Sequence, residues 1–242
     1  MSAADELLLT FALRDGRAIG LNRYLEAIRT CAGVGDEEAA SVVEKLAAMC
    51  PGPVRPVIRA HAGTMSVSRR PLPASMPEVQ VLAEAVPDAR VRPAVPGADL
   101  GWLNQQLNRV ISRGADDALL RITPGLSSQT LSAALVCFAE EQAFVSTHPS
   151  TSPSVLVDML LDELAHAGIP IRHRAEGLSR ALMTSNETWT VSAVHGIRRV
   201  RGWLEYGSAL PAAQLPAGTN VPSAVEMDAR MWELAQPVAD FL

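Results

Sequence analysis

The sequence predicts an α+β protein of two lobes, with a smaller lobe over residues 1–95 and a larger one over residues 96–242. Apolar residues recur at both helical and strand periods along the chain. Prolines cluster between about Pro71 and Gly97. Because proline fixes φ and donates no backbone hydrogen bond, this stretch is expected to be an extended strand and a connector that closes the smaller lobe.

The smaller lobe is predicted to open with a β-hairpin over residues 6–20, because Asp15-Gly16 is a typical tight-turn pair. Two amphipathic helices follow over residues 21–32 and 36–50. Residues 53–73 are predicted to form two further strands. Together these elements predict a sheet with one face covered by helices.

The larger lobe is predicted to begin with a helix and to alternate strands with two more helices. The helices are expected over residues 102–115, 154–169 and 225–242, and the strands over residues 116–122, 134–147 and 188–200.

Composition excludes several classes of function. A net charge of -5 is unlike the basic surface of a nucleic-acid-binding protein. No apolar run approaches the roughly 20 residues of a membrane span, and the N-terminus lacks a signal-peptide pattern, so a cytoplasmic protein is expected. The three cysteines lie far apart, which predicts neither disulfides nor a zinc site.

Five short strings carry a family resemblance. They are LTFALRDGRAIGLNRYLEAIRTCA, RGADDALL, the THP of Thr147–Pro149, LLDELAHAGIPI and TSNETWTVSAVHGI. In this order they resemble aminotransferase class IV, the fold-type IV family of pyridoxal-phosphate enzymes, which includes branched-chain and D-amino-acid aminotransferases and aminodeoxychorismate lyase. The resemblance covers nearly the whole chain. It implies a small N-terminal α/β lobe, a larger barrel-like C-terminal lobe and a homodimer.

The resemblance also implies a lysine that forms a Schiff base with the cofactor, at a position near Ala98 or Asp99. The chain has one lysine, Lys45, and it lies in a different predicted helix. Since only an amine can form this bond, the sequence predicts that no Schiff base forms.

Two further cofactor contacts of the family are replaced at the matching positions. Ala27 stands where the family has a phosphate-binding arginine, although Arg23 and Arg29 lie within one turn, and Gln129 stands where it has the glutamate that pairs with the pyridine nitrogen. The string SPSVLVDML replaces a glycine-rich phosphate turn. We therefore expect no cofactor and a lost pyridoxal-phosphate site. An alternative hypothesis keeps pyridoxal phosphate bound without a Schiff base.

The vacated pocket suggests candidate site residues, chosen because they match or adjoin pocket positions of the family. As acid/base groups we predict Asp99, His148, Glu187 and His195. As substrate-binding groups we predict Arg59, Trp102, Gln129, Thr130, Asn186 and Trp189.

Simpler structural roles compete with some of these assignments. His148 precedes a proline and is also expected as a loop cap, and His195 as a surface or interface residue. The RRVR string at 198–201 is typical of a solvated strand edge, although such a cluster attracts anions.

These residues predict a pyridoxal-phosphate-independent cyclase or lyase. Its expected substrate is a small aromatic or amino-acid-derived intermediate of bacterial specialised metabolism. The alternative hypothesis is a catalytically silent partner of an active homologue. Neither nucleic acid nor a membrane is an expected partner.

Overall fold

The computed structural model describes residues 7–32, 34–61 and 64–242, which form two lobes. The strands are β1 (Leu7–Thr10), β2 (Arg17–Ala18), β3 (Val54–His61), β4 (Thr64–Pro71), β5 (Glu78–Pro87), β6 (Asp117–Thr123), β7 (Leu126–Thr130), β8 (Ala134–Ala139), β9 (Gln142–Ser146), β10 (Ile171–Arg174), β11 (Leu178–Ser179), β12 (Glu187–Ser192), β13 (Gly196–Glu205), β14 (Ser208–Pro211) and β15 (Gln236–Pro237). The helices are α1 (Leu21–Ala32), α2 (Asp36–Ala47), α3 (Leu100–Ile111), α4 (Val155–His166), α5 (Arg180–Ser185) and α6 (Ala224–Glu233).

The smaller lobe is a sheet of order β1-β3-β4 with α1 and α2 on one face. Alternate residues of β1 and β3, among them Leu9 and Ile58, pack with Leu25 and Leu46 of the helices. The intervening residues of these strands therefore face away from the helices. This second face is the one that meets the larger lobe.

The predicted hairpin at the N-terminus is wrong in its pairing. The Asp15-Gly16 turn forms, with an isolated bridge between Arg14 and Arg17. However, β1 pairs with β3, and β2 pairs with β15 near the C-terminus. Long-range pairing with a longer apolar strand wins because an isolated two-stranded hairpin buries little surface.

The larger lobe is a barrel-like sheet of order β10-β9-β8-β12-β13-β5-β6-β7-β11, with β14 beside β13. β11 comes back into contact with β9, so the described strands nearly close on themselves. Side chains such as Val79, Leu119 and Val200 fill the interior. α4 and α6 cover one part of the outer face, and α3 covers another. This confirms the predicted α+β architecture with a barrel-like larger lobe.

Local sequence explains where the covering helices begin. Ser154 caps α4 by accepting the backbone N–H of Val157 at 3.4 Å. Ser223 and Glu226 form a capping box at the start of α6. α6 is shorter than predicted, because residues 234–242 leave the helix to form β15 and a 3-10 turn (Val238–Phe241).

The connector between the lobes is partly strand. β5 already belongs to the large sheet, where it lies parallel to β13 and β6. The division at residue 95 stays a prediction.

Within the ranges described above, the helices are all too short or too polar to cross a bilayer.

The connector returns to the smaller lobe at Gly97, and this contact is testable. Gly97 has φ +85°, and a Cβ there would collide with the Leu8 side chain of β1. Gly97→Ala is expected to lower the free energy of unfolding by about 2 kcal/mol, because alanine is strained at this φ and lacks space. Urea denaturation would measure the change.

Gly101→Ala is the matched control. Gly101 lies in α3 with open space around it, so alanine there should stabilise the protein by up to about 1 kcal/mol. Equal effects of the two substitutions would contradict the tight contact at Gly97.

Candidate functional site

Buried polar residues concentrate on neighbouring strands of the barrel. The described ones with less than a tenth of their surface exposed are Gln80, Asp117, Ser127, Ser128, Gln129, Thr130, Glu187, Thr188, Thr190 and Arg198. Most of them lie on β6, β7, β12 and β13. Since buried polar groups need a reason to be inside, this part of the barrel is the candidate site.

Asp117 is the centre of this polar region. Its Oδ1 accepts the backbone N–H groups of Ala118 and Leu131 at 2.8 and 3.1 Å, and its Oδ2 accepts the hydroxyls of Thr130 and Ser132 at 2.8 and 2.6 Å. Burial raises the pKa of Asp117, while these hydrogen bonds oppose the rise. The carboxylate therefore fixes the turn after β7.

Arg198 lies on β13 with its side chain on the same face as Val200, which packs in the barrel interior. Only 8% of Arg198 is exposed, and its buried Nε has no hydrogen-bond partner among the described residues. Burial lowers the pKa of Arg198, and the nearby carboxylates of Asp117 and Asp116 oppose this effect. A guanidinium nevertheless stays charged in proteins.

A second arginine comes from the smaller lobe. Arg55 lies on β3, on the face turned away from α1 and α2. Its Nε is also buried without a hydrogen-bond partner in the described ranges, as is the hydroxyl of Thr10 on neighbouring β1. The lobes are joined close by, where the N–H of Ala12 donates to the carbonyl of Ala193 at 2.8 Å.

His195 lies in the turn between β12 and β13 and is half-buried. Burial lowers its pKa to about 4, and the positive charges of Arg198 and Arg55 contribute to the shift. The imidazole is therefore neutral near pH 7. We call Arg55, His195 and Arg198 the cationic cluster.

The cationic cluster has the chemistry of an anion site. A buried donor without an acceptor costs about 1–3 kcal/mol, and here two guanidinium groups from different lobes lack a hydrogen-bond partner at Nε among the described residues. A bound anion could supply a missing acceptor. His195 is a group that can exchange protons, and the charges of both arginines act on it.

Besides His195, three of the sequence-predicted residues lie on β3 and β7, the strands that carry Arg55 and the buried polar residues 127–130. Gln129 is buried, and its amide oxygen accepts the backbone N–H of Ser152 at 2.7 Å. Thr130 donates to Asp117. Arg59 lies on the same face of β3 as Arg55.

Asp99 and His148 lie in connecting segments. Both carboxylate oxygens of Asp99 accept backbone N–H groups, from Val91 and Arg92, at 2.9 Å each. The Nδ1 of His148 accepts the backbone N–H of Ser150 at 3.1 Å. These contacts are those of loop caps, the simpler role that was also considered for His148.

The other predicted residues lie away from the cationic cluster. Trp189 packs against Phe138 in the outer core, with ring centroids 4.3 Å apart, and donates from Nε1 to Glu187 at 2.7 Å. Asn186 donates to the last turn of α5 through the carbonyl of Leu182 at 2.9 Å. Trp102, a residue of α3, packs against the outer face of the barrel.

Glu187 faces an open groove of about 450 Å³ on the outside of the barrel, near the start of α6. Its two oxygens accept Trp189 Nε1 and the backbone N–H of Leu215. The carboxylate therefore has structural partners on both oxygens.

A buried ion pair fixes the connector beside the cleft. The side chains of Asp88 and Arg90 are 7% and 2% exposed, and Asp88 Oδ2 lies 2.8 Å from Arg90 Nη2. Arg90 also donates to the Ser150 carbonyl and to the Ser152 hydroxyl. Through Ser152, this pair is linked to Gln129.

Sequence reasoning missed Asp117, Arg55 and Arg198 as site residues. The expectation of a solvated strand edge is wrong for Arg198, which is buried, whereas Arg199 pairs with Glu78 on the other face. The period of two along β13 was the available signal, because residue 198 shares its face with buried Val200. No such signal exists for Asp117, because the sequence does not show which of the adjacent residues Asp116 and Asp117 faces the interior.

Comparison with solved structures identifies the fold. A hypothetical aminotransferase from Mycobacterium tuberculosis matches with a TM-score of 0.71 and 16% identity, over 99% of this chain and 93% of that one. The branched-chain aminotransferase of Escherichia coli matches with a TM-score of 0.73 and 12% identity, over 95% and 85%. An aminodeoxychorismate lyase-like protein matches with a TM-score of 0.69 and 15% identity, over 94% and 89%. The chain therefore has the fold of the fold-type IV aminotransferases, as the sequence resemblance implied.

No model of a known protein family matches the sequence, and no curated protein does.

One prediction from the resemblance needs correction. We expected no cofactor, but the Mycobacterium tuberculosis protein has the same fold and is known with pyridoxamine phosphate bound and with pyridoxal phosphate bound. The expectation relied on substituted side chains alone. That expectation is therefore wrong for this scaffold.

The buried histidine predicts a pH dependence of stability. The folded-state pKa of His195, about 4, lies below its ordinary value of 6.5, so the unfolded chain binds this proton more readily. Stability should be full above about pH 6.5 and fall as the pH is lowered towards 4. His195→Gln should flatten this part of the pH profile, measured by urea denaturation at a series of pH values.

His166→Gln is the control for this experiment, because the imidazole of His166 on α4 is 79% exposed. An unchanged pH profile in His195→Gln would show that the burial of His195 has no such effect.

Proposed function

We propose that this protein is an enzyme that binds a small carboxylate in the cleft between the lobes and acts on it by proton transfer, as a lyase or cyclase. The substrate class is an aromatic or amino-acid-derived acid. The lyase-like and aminotransferase scaffolds that share the fold support an enzyme-like role. Positioning and proton transfer are the catalytic effects required.

The observation that carries the proposal is the buried Nε of Arg198, which has no hydrogen-bond partner among the described residues. A buried charged side chain calls for an explanation, since an apolar residue of similar size would avoid the desolvation cost. The charges of Arg198 and Arg55 both act on His195. A carboxylate bound beside Arg198 would supply an acceptor for its Nε.

One group is proposed to move protons in this cleft. His195 is neutral, and the charges of Arg198 and Arg55 act on it, whereas Asp117 uses both carboxylate oxygens to accept four hydrogen bonds. Asp99, His148 and Glu187 remain predicted acid/base groups, but their side chains accept backbone N–H groups and, for Glu187, also an indole N–H.

The cofactor of the fold's aminotransferases can be tested against the donors of this cleft. Pyridoxal phosphate, when bound, supplies an electron sink. Its phosphate fits the cationic cluster, because Arg55 and Arg198 each offer an Nε donor that has no acceptor among the described residues. An internal Schiff base does not fit, because Lys45 is exposed on α2 in the smaller lobe and the chain has no other lysine. The cofactor would therefore be held by non-covalent contacts.

A silent partner of an active homologue is the competing function. In a protein that had lost its activity, sequence drift would leave arbitrary substitutions at the former site. The convergence of Arg55, His195 and Arg198 from two lobes favours a working site.

Removal of the Arg198 charge should weaken carboxylate binding. Benzoate serves as a minimal aromatic carboxylate, and calorimetry or ligand-observed NMR would give its Kd. Arg198→Met is expected to raise the Kd at least about tenfold, since a hydrogen bond to a charged group contributes roughly 1.5–3 kcal/mol.

Arg121→Met is the matched control, because Arg121 is an exposed arginine of β6, and it should leave the Kd unchanged. Equal Kd values in both variants, or no binding of benzoate to the natural protein, would contradict the proposed site.

Binding of pyridoxamine phosphate should not depend on the lysine. This form of the cofactor carries its own amine, and Lys45 is exposed on the helix-bearing side of the smaller lobe. Lys45→Arg is expected to bind pyridoxamine phosphate with the Kd of the natural protein, measured by fluorescence titration. A large loss of affinity in Lys45→Arg would mean that the lysine reaches the cofactor.

A further inference from the structure

The groove on the outside of the barrel has the size of a small-molecule site. Its volume of about 450 Å³ lies within the range of roughly 300–1,000 Å³ that is typical of ligand pockets. A water molecule takes up only about 30 Å³ of liquid volume, so the groove has room for an organic molecule. Its walls are the start of β5, parts of β12 and β13, the segment 214–223 and the first turn of α6.

Glu187 places a buried carboxylate in this lining. It is 5% exposed, and its two oxygens accept the indole N–H of Trp189 at 2.7 Å and the backbone N–H of Leu215 at 2.9 Å. An ionised carboxylate has about four lone-pair positions, and these hydrogen bonds use two of them. Asp117, by contrast, accepts four hydrogen bonds. Glu187 therefore has acceptor capacity left for a ligand in the groove.

The charge of Glu187 also lacks a counter-ion. Arg199 is the one cationic side chain among the described residues that line the groove, and it pairs with Glu78. Glu226 accepts the N–H and the hydroxyl of Ser223 in the capping box of α6. Glu187 forms no ion pair with the residues that the structure describes, and its contacts are the two neutral donors. A buried charge of this kind is stabilised by a cation that enters the groove.

The composition of the walls favours an organic ammonium over a metal ion. Leu215, Val221 and Val225 give the groove an apolar wall, which suits a hydrocarbon body. An ammonium group carries N–H donors for the remaining acceptor positions of Glu187. In the described parts of the chain, no three His, Cys, Asp or Glu side chains come together to hold a metal ion.

We propose that the groove is a second binding site, which takes a small organic ammonium with an apolar body and holds its cationic group on Glu187. This inference does not depend on the proposed function. Glu187 and Trp189 lie on the outer face of β12, whereas Arg198 shares the inner face of β13 with Val200. The wall of the barrel therefore separates the groove from the cationic cluster.

The test compares benzylamine with benzyl alcohol, a neutral molecule of nearly the same shape. An NMR titration of the natural protein at neutral pH should give a benzylamine Kd of about 1 mM or lower. Benzyl alcohol should bind at least about tenfold more weakly, because it cannot form the charge-assisted hydrogen bond. The indole N–H signal of Trp189, assigned by its loss in Trp189→Phe, should shift with benzylamine, because this group donates to the same carboxylate.

Glu187→Gln removes the charge and keeps an amide oxygen at the same place. It is expected to raise the Kd of benzylamine at least about tenfold. Glu233→Gln is the matched control, because Glu233 is an exposed residue at the other end of α6, outside the groove. It should leave the Kd unchanged.

A second pair of variants alters only an exposed residue. Val225 lines the groove and is 61% exposed. Val225→Lys brings a competing ammonium to the groove and should raise the benzylamine Kd about threefold or more, since like charges repel. Val225→Met, with an uncharged side chain of similar reach, should leave it unchanged. This pair decides the question if Glu187→Gln does not fold.

Several outcomes would overturn the site. These are equal Kd values for benzylamine and benzyl alcohol, absence of benzylamine binding to the natural protein, and an unchanged Kd in folded Glu187→Gln or, where that variant does not fold, in Val225→Lys. Competition between benzoate and benzylamine would place the amine in the cleft and would overturn it as well. Failure of benzoate to bind, with benzylamine bound as expected, would overturn the proposed function alone.

Discussion

The larger lobe depends on one buried carboxylate. Asp117 accepts four hydrogen bonds at the junction of β6 and β7, and so satisfies the backbone and hydroxyl donors of the turn at 130–133. Without an acceptor there, several donors would be buried unpaired, each at a cost of about 1–3 kcal/mol. The same carboxylate attracts Arg198, so the element that stabilises the barrel end also keeps a positive charge inside it.

That positive charge is incompletely neutralised, and this determines the character of the cleft. Asp117 devotes its oxygens to the turn, Asp116 accepts from Gln80, and the buried Nε of Arg198 has no acceptor in the part of the chain that the structure describes. The Nε of Arg55, in the smaller lobe, is also buried without an acceptor among the described residues. A cleft of this kind is selective for anions before any contact with the rest of a ligand is made.

The helices and strands were largely predictable, because their signals are local. The apolar period of residues 154–169 and the capping Ser154 predicted α4, and the alternation in residues 134–147 predicted β8 and β9. The pairing of β1 with β3 was not predictable, since it joins segments far apart in the chain, and a turn signal at Asp15-Gly16 favours the nearer partner.

The site was less predictable than the fold. Family positions led to Gln129, Thr130, Arg59 and His195, whose place in a ligand site stays a prediction. They also led to Trp189 and Asn186, which pack or cap elsewhere. Whether a charged group is buried and hydrogen-bonded depends on neighbours from other strands. The sequence therefore could not show that the Nε atoms of Arg55 and Arg198 have no acceptor among the described residues.

The connector has a consequence for how the cleft recognises its ligand. It is fastened to the barrel through Arg90 and to the smaller lobe at Leu8, whose N–H donates to the Pro96 carbonyl at 3.0 Å. Two such contacts restrain hinge bending between the lobes. A ligand site between the lobes would then be formed largely before the ligand arrives, which lowers the cost of ordering on binding.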